Sequence, residues 1–313
     1  MITVMSYTAE KKTIWDGFVK TGKNRHFFFQ RDYMDYHADR FEDKSLLFFD
    51  GNDLLAVLPG SRHQETYVSH GGLTFGGLIF DKTINFSEVF HIFSAIKMYL
   101  HSCGLQVLRY KAMPYIYHDI PSEEDLFLLL YHKAVLIRRD VSSTIDLKNK
   151  LGFSNGKKNG IAKAKKNGVI VSDAPDFDQF LAMMNAILQE KYQTQATHSK
   201  EEMLLLYKRF PNHIKLHSAF VNGRMVAGVV MYLTDQVAHT QYMATTEIGR
   251  ETGALDLLLH ILINDIYASK HYFDFGISTE QQGRFLNQGL VTQKEMFGAR
   301  AIVYDTYEMN LSH

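Results

Sequence analysis

The sequence predicts an α/β protein in which one unit is built twice. Three observations carry that expectation. Each half contains a hairpin signal: Ser45–Asp50 and Asp53–Pro59 flank Gly51-Asn52, and Ile214–Val221 and Arg224–Leu233 flank Asn222-Gly223. After each hairpin the same order follows: a third strand, a glycine-bearing loop or connection, a long helix and another strand. The 313 residues suit two domains of roughly 100–200 residues each. The agreement lies in element order rather than residue identity, and its period is far too long for a solenoid. We place the domains at 1–147 and 148–313.

The elements follow from local pattern. A polar helix around Ala9–Thr21 holds the only tryptophan, Trp15. The strand at Tyr67–Ser69 breaks into His70-Gly71-Gly72-Leu73-Thr74-Phe75-Gly76-Gly77, then a helix over Asn85–Ser102 and a strand over Leu105–Tyr110 complete the first unit. Leu126–Lys133 reads as helix and Ala134–Leu147 as a long strand. A lysine-rich segment follows, with Lys148, Lys150, Lys157, Lys158, Lys163, Lys165 and Lys166 and no acidic residue among them. Val169–Ser172 reads as strand, and Asp176–Tyr192 and Lys200–Phe210 as helices. Beyond the second hairpin, Val237–Ala244 alternates as a strand, Thr245–Thr252 connects, Gly253–Ser269 is helical and Tyr272–Gly276 is a strand. A helix carrying Lys294 and a last strand, Ala301–Tyr307, close the chain.

Composition narrows the class. Thirty-four basic and 34 acidic side chains leave no net charge, which argues against a protein built to coat nucleic acid. One cysteine, Cys103, rules out an intrachain disulfide and fits a reducing compartment; at the end of an apolar helix it is expected to pack rather than react. No apolar run is long enough to span a bilayer, and Met1–Lys12 does not read as a signal peptide, so a cytoplasmic protein is expected. The histidines show no convincing metal-ligand spacing, and no His-Glu-x-x-His, paired-cysteine site or Gly-x-Ser-x-Gly elbow occurs; no metal is expected.

The C-terminal segments are the most specific. Tyr272-Phe273-Asp274-Phe275-Gly276-Ile277-Ser278 ends a strand, and Lys294-Glu295-Met296-Phe297-Gly298-Ala299 carries a helix into a final strand. Their wording resembles the Fem-type, acetyltransferase-like branch of the acyl-CoA N-acyltransferase (GNAT) superfamily. Phe29-Gln30, Arg40-Phe41 and Ser45-Leu46-Leu47 are similar to that family's first domain. The resemblance implies tandem GNAT-like units with mixed central sheets flanked by helices. The first would be a degenerate unit on the acceptor side and the second would carry the chemistry.

It also implies site residues. GNAT enzymes hold the donor's pyrophosphate on backbone amides at a helix start, through an Arg/Gln-x-x-Gly-x-Gly/Ala pattern. Here that stretch is Arg250-Glu251-Thr252-Gly253-Ala254-Leu255, with Leu255 where the second glycine would stand and Glu247 and Glu251 adding negative charge. Arg250, Thr252, Gly253 and Ala254 are the donor-binding candidates; Thr252 would equally serve as an ordinary N-cap. The resemblance gives Lys294 a place near the transferred carbonyl, where a cation stabilises a developing oxyanion. Asp274 is placed at a cleft edge, either orienting an acceptor amine or capping the turn. Tyr242 is the third catalytic candidate; His239, an odd number of residues away on the same strand, should face the opposite side. Arg40, His70 and Lys111 are the candidates for an anionic acceptor. On the basic helix, Lys158, Lys165 and Lys166 lie near one face, with Ile161 and Ala164 available for packing; the lysines are either solvated or touch a nucleotide-linked acceptor, an acidic glycan or a tRNA end.

Three functions remain open. The first is an acyltransferase using acyl-CoA as co-substrate and acting directly on an amine or hydroxyl of a sugar or cell-envelope precursor. The second is a Fem-type aminoacyl-tRNA-dependent ligase acting on a peptidoglycan precursor. The third is a non-catalytic member that binds a glycan or nucleotide sugar. The zero net charge and the absence of a long coiled-coil insert favour the first.

Overall fold

The computed structural model describes residues 1–193 and 197–312. The chain divides into two compact units: Met1–Val141 with Thr279–Phe285 and Val303–His313, and Ser142–Ser278 with Leu286–Ile302. The division between Val141 and Ser142 falls inside a strand, Val135–Asp146, before the expected break after Leu147, and the chain's last strand ends in the first unit.

The first unit opens on a strand not expected from the sequence, β1 (Ile2–Ser6), followed by α1 (Lys12–Thr21) and a short α2 (Arg31–Met34). The hairpin is β2 (Leu46–Asp50) and β3 (Asp53–Leu58). Gly51 at its turn takes φ +57°, which a side chain tolerates poorly. Then come β4 (Ser61–His63), β5 (Thr66–Val68), β6 (Ile79–Phe80), α3 (Phe86–Ser102), β7 (Val107–Lys111), α4 (Glu124–Tyr131) and β8 (Val135–Asp146). Asn85 begins α3 with a capping box, its side chain accepting from Glu88 N–H while Glu88 accepts from Asn85 N–H. Val89, Ile92, Phe93, Ile96 and Leu100, at helical spacing, bury α3 against Phe48, Ala56, Leu58 and Leu108. Cys103 sits at the end of α3 but is exposed, so the packing expected of it does not occur.

In the second unit, α5 (Asn155–Lys166), β9 (Ile170–Ser172), α6 (Phe177–Tyr192) and α7 (Lys200–Arg209) precede the hairpin β10 (Ile214–Val221) and β11 (Arg224–Leu233). Then follow β12 (Val237–Thr245), α8 (Glu247–Thr252), α9 (Ala254–Ile261), β13 (Tyr272–Ile277) and, after a short β14/β15 hairpin (Thr279–Glu280, Phe285–Leu286), α10 (Gln288–Glu295). The last strand, β16 (Arg300–Asn310), pairs antiparallel with β7 in the first unit.

The second unit's strands run in the order β8-β13-β12-β11-β10-β9, antiparallel except for the parallel β12–β13 pair. One face carries Ala227, Val229, Met231, Ala238, Phe273 and Phe275 against Leu255, Leu258, Leu259 and Leu262. Each such leucine, fully buried, contributes roughly 1.5–3 kcal/mol. The parallel pair needs a crossover helix, which α9 supplies. The first unit shows the same device on a smaller scale, with β5 parallel to β7.

Candidate active site

Strands β12 and β13 pair over only three residues, Val237, Ala238 and His239 against Tyr272, Phe273 and Asp274. Beyond that point they part. Both are bulged where they do so: β12 carries an extra residue around Gln241 relative to β11, and β13 shifts register against β8 between Asp274 and Ile277. A bulge adds local twist and bends its strand away from its neighbour. Gly276, at φ +73°, takes the bend in β13.

The β12 bulge also corrects the expected side-chain parity. His239 pairs with Tyr232 and Tyr242 with Val230, two residues apart on β11, so His239 and Tyr242 share a face. That face also carries Asp274, opposite Thr144 of β8.

Asp274 is fully buried rather than at a cleft edge. Its Oδ1 accepts from Ser142 Oγ at 2.6 Å and Thr144 Oγ1 at 2.7 Å, and its Oδ2 lies 2.7 Å from His239 Nδ1. Burial alone would push this carboxyl up. The hydrogen bond and charge of His239, with the two hydroxyls, instead hold it down at about 2. An ionised carboxylate only accepts, so His239 Nδ1 carries a proton, and in the neutral ring Nε2 presents its lone pair. The His239 side chain is 17% exposed. Tyr242 is held by a hydrogen bond between its hydroxyl and His198 Nδ1, and burial raises its pKa.

Lys294 is nearly buried, and its ammonium donates to Gly276 O at 2.8 Å, Ile277 O at 3.0 Å and Ser278 Oγ at 2.7 Å. Burial lowers its pKa to about 8, against the attraction of Asp274. All three of its donors are engaged, so it clamps the bent end of β13.

The unpaired stretch of β12 leads to an open cavity of about 490 Å³. Met243, Ala244 and Thr245 line it on one side, with Arg250, Gly253 and Lys157 at another. Thr246 caps α8, its hydroxyl accepting from Gly249 N–H. Gly253, at φ +76°, then turns the chain directly into α9. A Cβ there would lie 2.3 Å from Gly160 O, and a Cβ on Gly160 would lie 2.1 Å from Asp256 Oδ2. Two glycines thus let α5 close on the start of α9 and set Lys157 Nζ 2.7 Å from Asp256. Thr252 is not an N-cap: it lies in the last turn of α8 and its hydroxyl donates back to Ile248 O. Ala254 is buried, and neither it nor Thr252 lines the cavity.

Residues 154–282 match the family described as acetyltransferase (GNAT) domain. These residues form a GNAT domain. No curated protein sequence is significantly similar to this one. Among solved structures, FemX superposes with a TM-score of 0.67 at 10% identity, covering 97% of this chain and 96% of that one. L-PGS from Bacillus licheniformis gives 0.64 at 10% identity, covering 98% and 93%. A tandem GNAT protein from the clavulanic acid biosynthesis pathway gives 0.51 at 10% identity, covering 100% and 99%. Over both units the fold is therefore the one seen in FemX and in the tandem GNAT protein.

Outside the GNAT domain, the first unit brings two of its three expected acceptor residues together. Lys111 Nζ donates to His70 O, Gly71 O and Leu73 O, and burial lowers its pKa to about 8. His70 is buried beside the His37 ring, and burial lowers its pKa to about 3. It is therefore neutral at pH 7, not the exposed cation that an anionic acceptor would need. Arg40 has its guanidinium over the Tyr36 ring at 5.6 Å.

Within the GNAT domain the sequence reading missed the contact of His239 with Asp274. Spacing alone assigned it to the wrong face, because an added residue in one strand leaves no mark in apolar alternation.

Proposed function

We propose that this protein transfers an acyl group from acyl-CoA directly to an amine or hydroxyl of a sugar or cell-envelope precursor. The fork between β12 and β13, leading to the cavity at Arg250 and Gly253, carries this reading. Unpaired strand edges offer N–H and C=O groups to an extended, amide-bearing arm, as an added strand would use them. The start of α9 offers orphan amides and the positive end of its dipole to phosphates, with Arg250 beside it. Lys157 neutralises the one carboxylate in the lining, Asp256, and neither Glu247 nor Glu251 lines the cavity. The volume lies in the range of small-molecule sites, about 300–1,000 Å³. Alignment of acceptor and thioester would supply much of the acceleration.

We assign transfer to the second unit; an acceptor role for the first rests on the resemblance alone. An acyl-CoA donor places the reaction in the cytoplasm, and among the described residues no helix is long and apolar enough to cross a membrane.

Thermal shift of the full chain with coenzyme A, acetyl-CoA and nucleotide sugars tests the reading. Stabilisation by coenzyme A that disappears in Gly253→Trp supports it, and no shift with either CoA form overturns it. A second reading, aminoacyl-tRNA-dependent transfer, is favoured by one observation: Ile161 and Ala164 bury one face of α5 while Lys158, Lys163, Lys165 and Lys166 stay exposed. Transfer that requires charged tRNA and is lost when these four lysines become glutamine would establish it instead.

A further inference from the structure

We propose that His239 is the base that takes the acceptor's proton during transfer, and that Asp274 is the positioning residue that aims it. This rests on the acyl-transfer reading above and adds to it a residue and a proton path.

The argument is geometric. His239 is the last residue at which β12 and β13 are paired, so its ring stands at the mouth of the fork. Nδ1 is committed to Asp274, which Ser142 and Thr144 anchor from the other side. Nε2 has no hydrogen-bond partner among the described residues, and the ring is partly exposed. The absence of a side chain at Gly276 opens the space beside it: a Cβ at that position would lie 3.2 Å from His239 Cε1 and 3.9 Å from Nε2. A histidine fixed at one nitrogen by a buried carboxylate and open at the other has the arrangement of a general base with its orienting partner. The other titratable groups around it are either engaged or sealed from solvent. Tyr242 is bonded to His198 and Lys294 to the end of β13. Tyr232, its cross-strand neighbour, is buried.

In the step proposed, the acceptor's nitrogen or oxygen forms a bond to the donor's carbonyl carbon and the carbon–sulfur bond breaks. The acceptor's proton passes to His239 Nε2, and the departing thiolate recovers it from the imidazolium, so the base returns to its starting form.

Two measurements on the full chain test this. In protein with ¹⁵N-labelled histidine at pH 7.5, His239 should be protonated on Nδ1 and bare on Nε2, and Asp274→Asn should abolish that preference. A wild-type tautomer with the proton on Nε2 overturns the proposal. This readout needs no turnover, so it stands apart from the coenzyme A thermal shift that judges the transfer reading. With acetyl-CoA and glucosamine as probes, His239→Gln should lower kcat/KM roughly 10²–10⁴-fold while coenzyme A still stabilises the variant. His239→Gly should regain turnover with added imidazole. A His239→Gln enzyme within tenfold of wild type, or no rescue by imidazole, also overturns it.

Discussion

Replacing Asp274 by asparagine removes a charge that the fold buries completely and nevertheless keeps ionised. Burial pushes this carboxyl up, but the hydrogen bond and charge of His239, then Ser142 and Thr144, bring it from 3.8 down to about 2. A carboxyl depressed by folding contributes stability that is complete above its unfolded pKa and lost as pH falls through its folded pKa. The window for Asp274 therefore runs from about pH 3.8 down to about pH 2. The depression corresponds to roughly 2 kcal/mol at neutral pH. Asparagine still accepts from the two hydroxyls, but it can turn an NH2 group toward His239 Nδ1–H, and a mismatched buried donor costs about 1–3 kcal/mol. The two figures describe the same lost interaction and do not add. Urea unfolding of the full chain should show Asp274→Asn less stable than wild type by about 2–3 kcal/mol at pH 7. The difference should shrink as the pH is taken through that window. Equal stability at pH 7, or a difference that does not change with acid, would refute the assignment of Asp274 as a buried, ionised anchor.

Other perturbations separate packing from charge. Gly253→Ala forces a side chain into φ +76° and within 2.3 Å of Gly160 O; it should lower the melting temperature and weaken coenzyme A binding, with a stability loss above about 1 kcal/mol. Lys294→Met strips the donors from Gly276 O, Ile277 O and Ser278 Oγ, and should cost roughly 2 kcal/mol in urea unfolding and reduce turnover with acetyl-CoA and glucosamine; undiminished turnover would remove Lys294 from the catalytic machinery. Asp125 in the first unit has the opposite sign from Asp274, because burial raises it to about 6 despite the hydrogen bond from Tyr110. Its folded form takes up a proton that the unfolded chain releases between about pH 3.8 and 6, so its contribution falls as pH rises through that range. Asp125→Asn should therefore be about 1–2 kcal/mol more stable than wild type at pH 7 and lose that advantage by pH 4, read from paired urea titrations.

The contrast between these two aspartates shows where sequence reading stops. The hairpins at Gly51-Asn52 and Asn222-Gly223 were legible because a tight turn demands residue types that tolerate positive φ, and that demand is written at two positions. Helices α3 and α5 were legible because burial of one face repeats with the helical period, as at Val89, Phe93 and Ile96 or at Ile161 and Ala164. The strand β1 was not, since Ile2 and Val4 give too few alternations to stand out. The site was legible only as a neighbourhood. Arg250, Gly253, Asp274 and Lys294 belong to the unit that holds the fork, but which of them meets solvent and which is sealed depends on two bulges. A bulge changes side-chain parity without changing composition, so it brings His239 onto the face of Tyr242 at no cost in pattern. The same displacement does chemical work. Regular pairing past His239 would close β12 against β13, leaving no unpaired edge for an amide-bearing arm and no space beside Nε2. The irregularity that hides the site from the sequence is therefore what opens it, and restoring regular pairing should abolish donor binding before it unfolds the sheet.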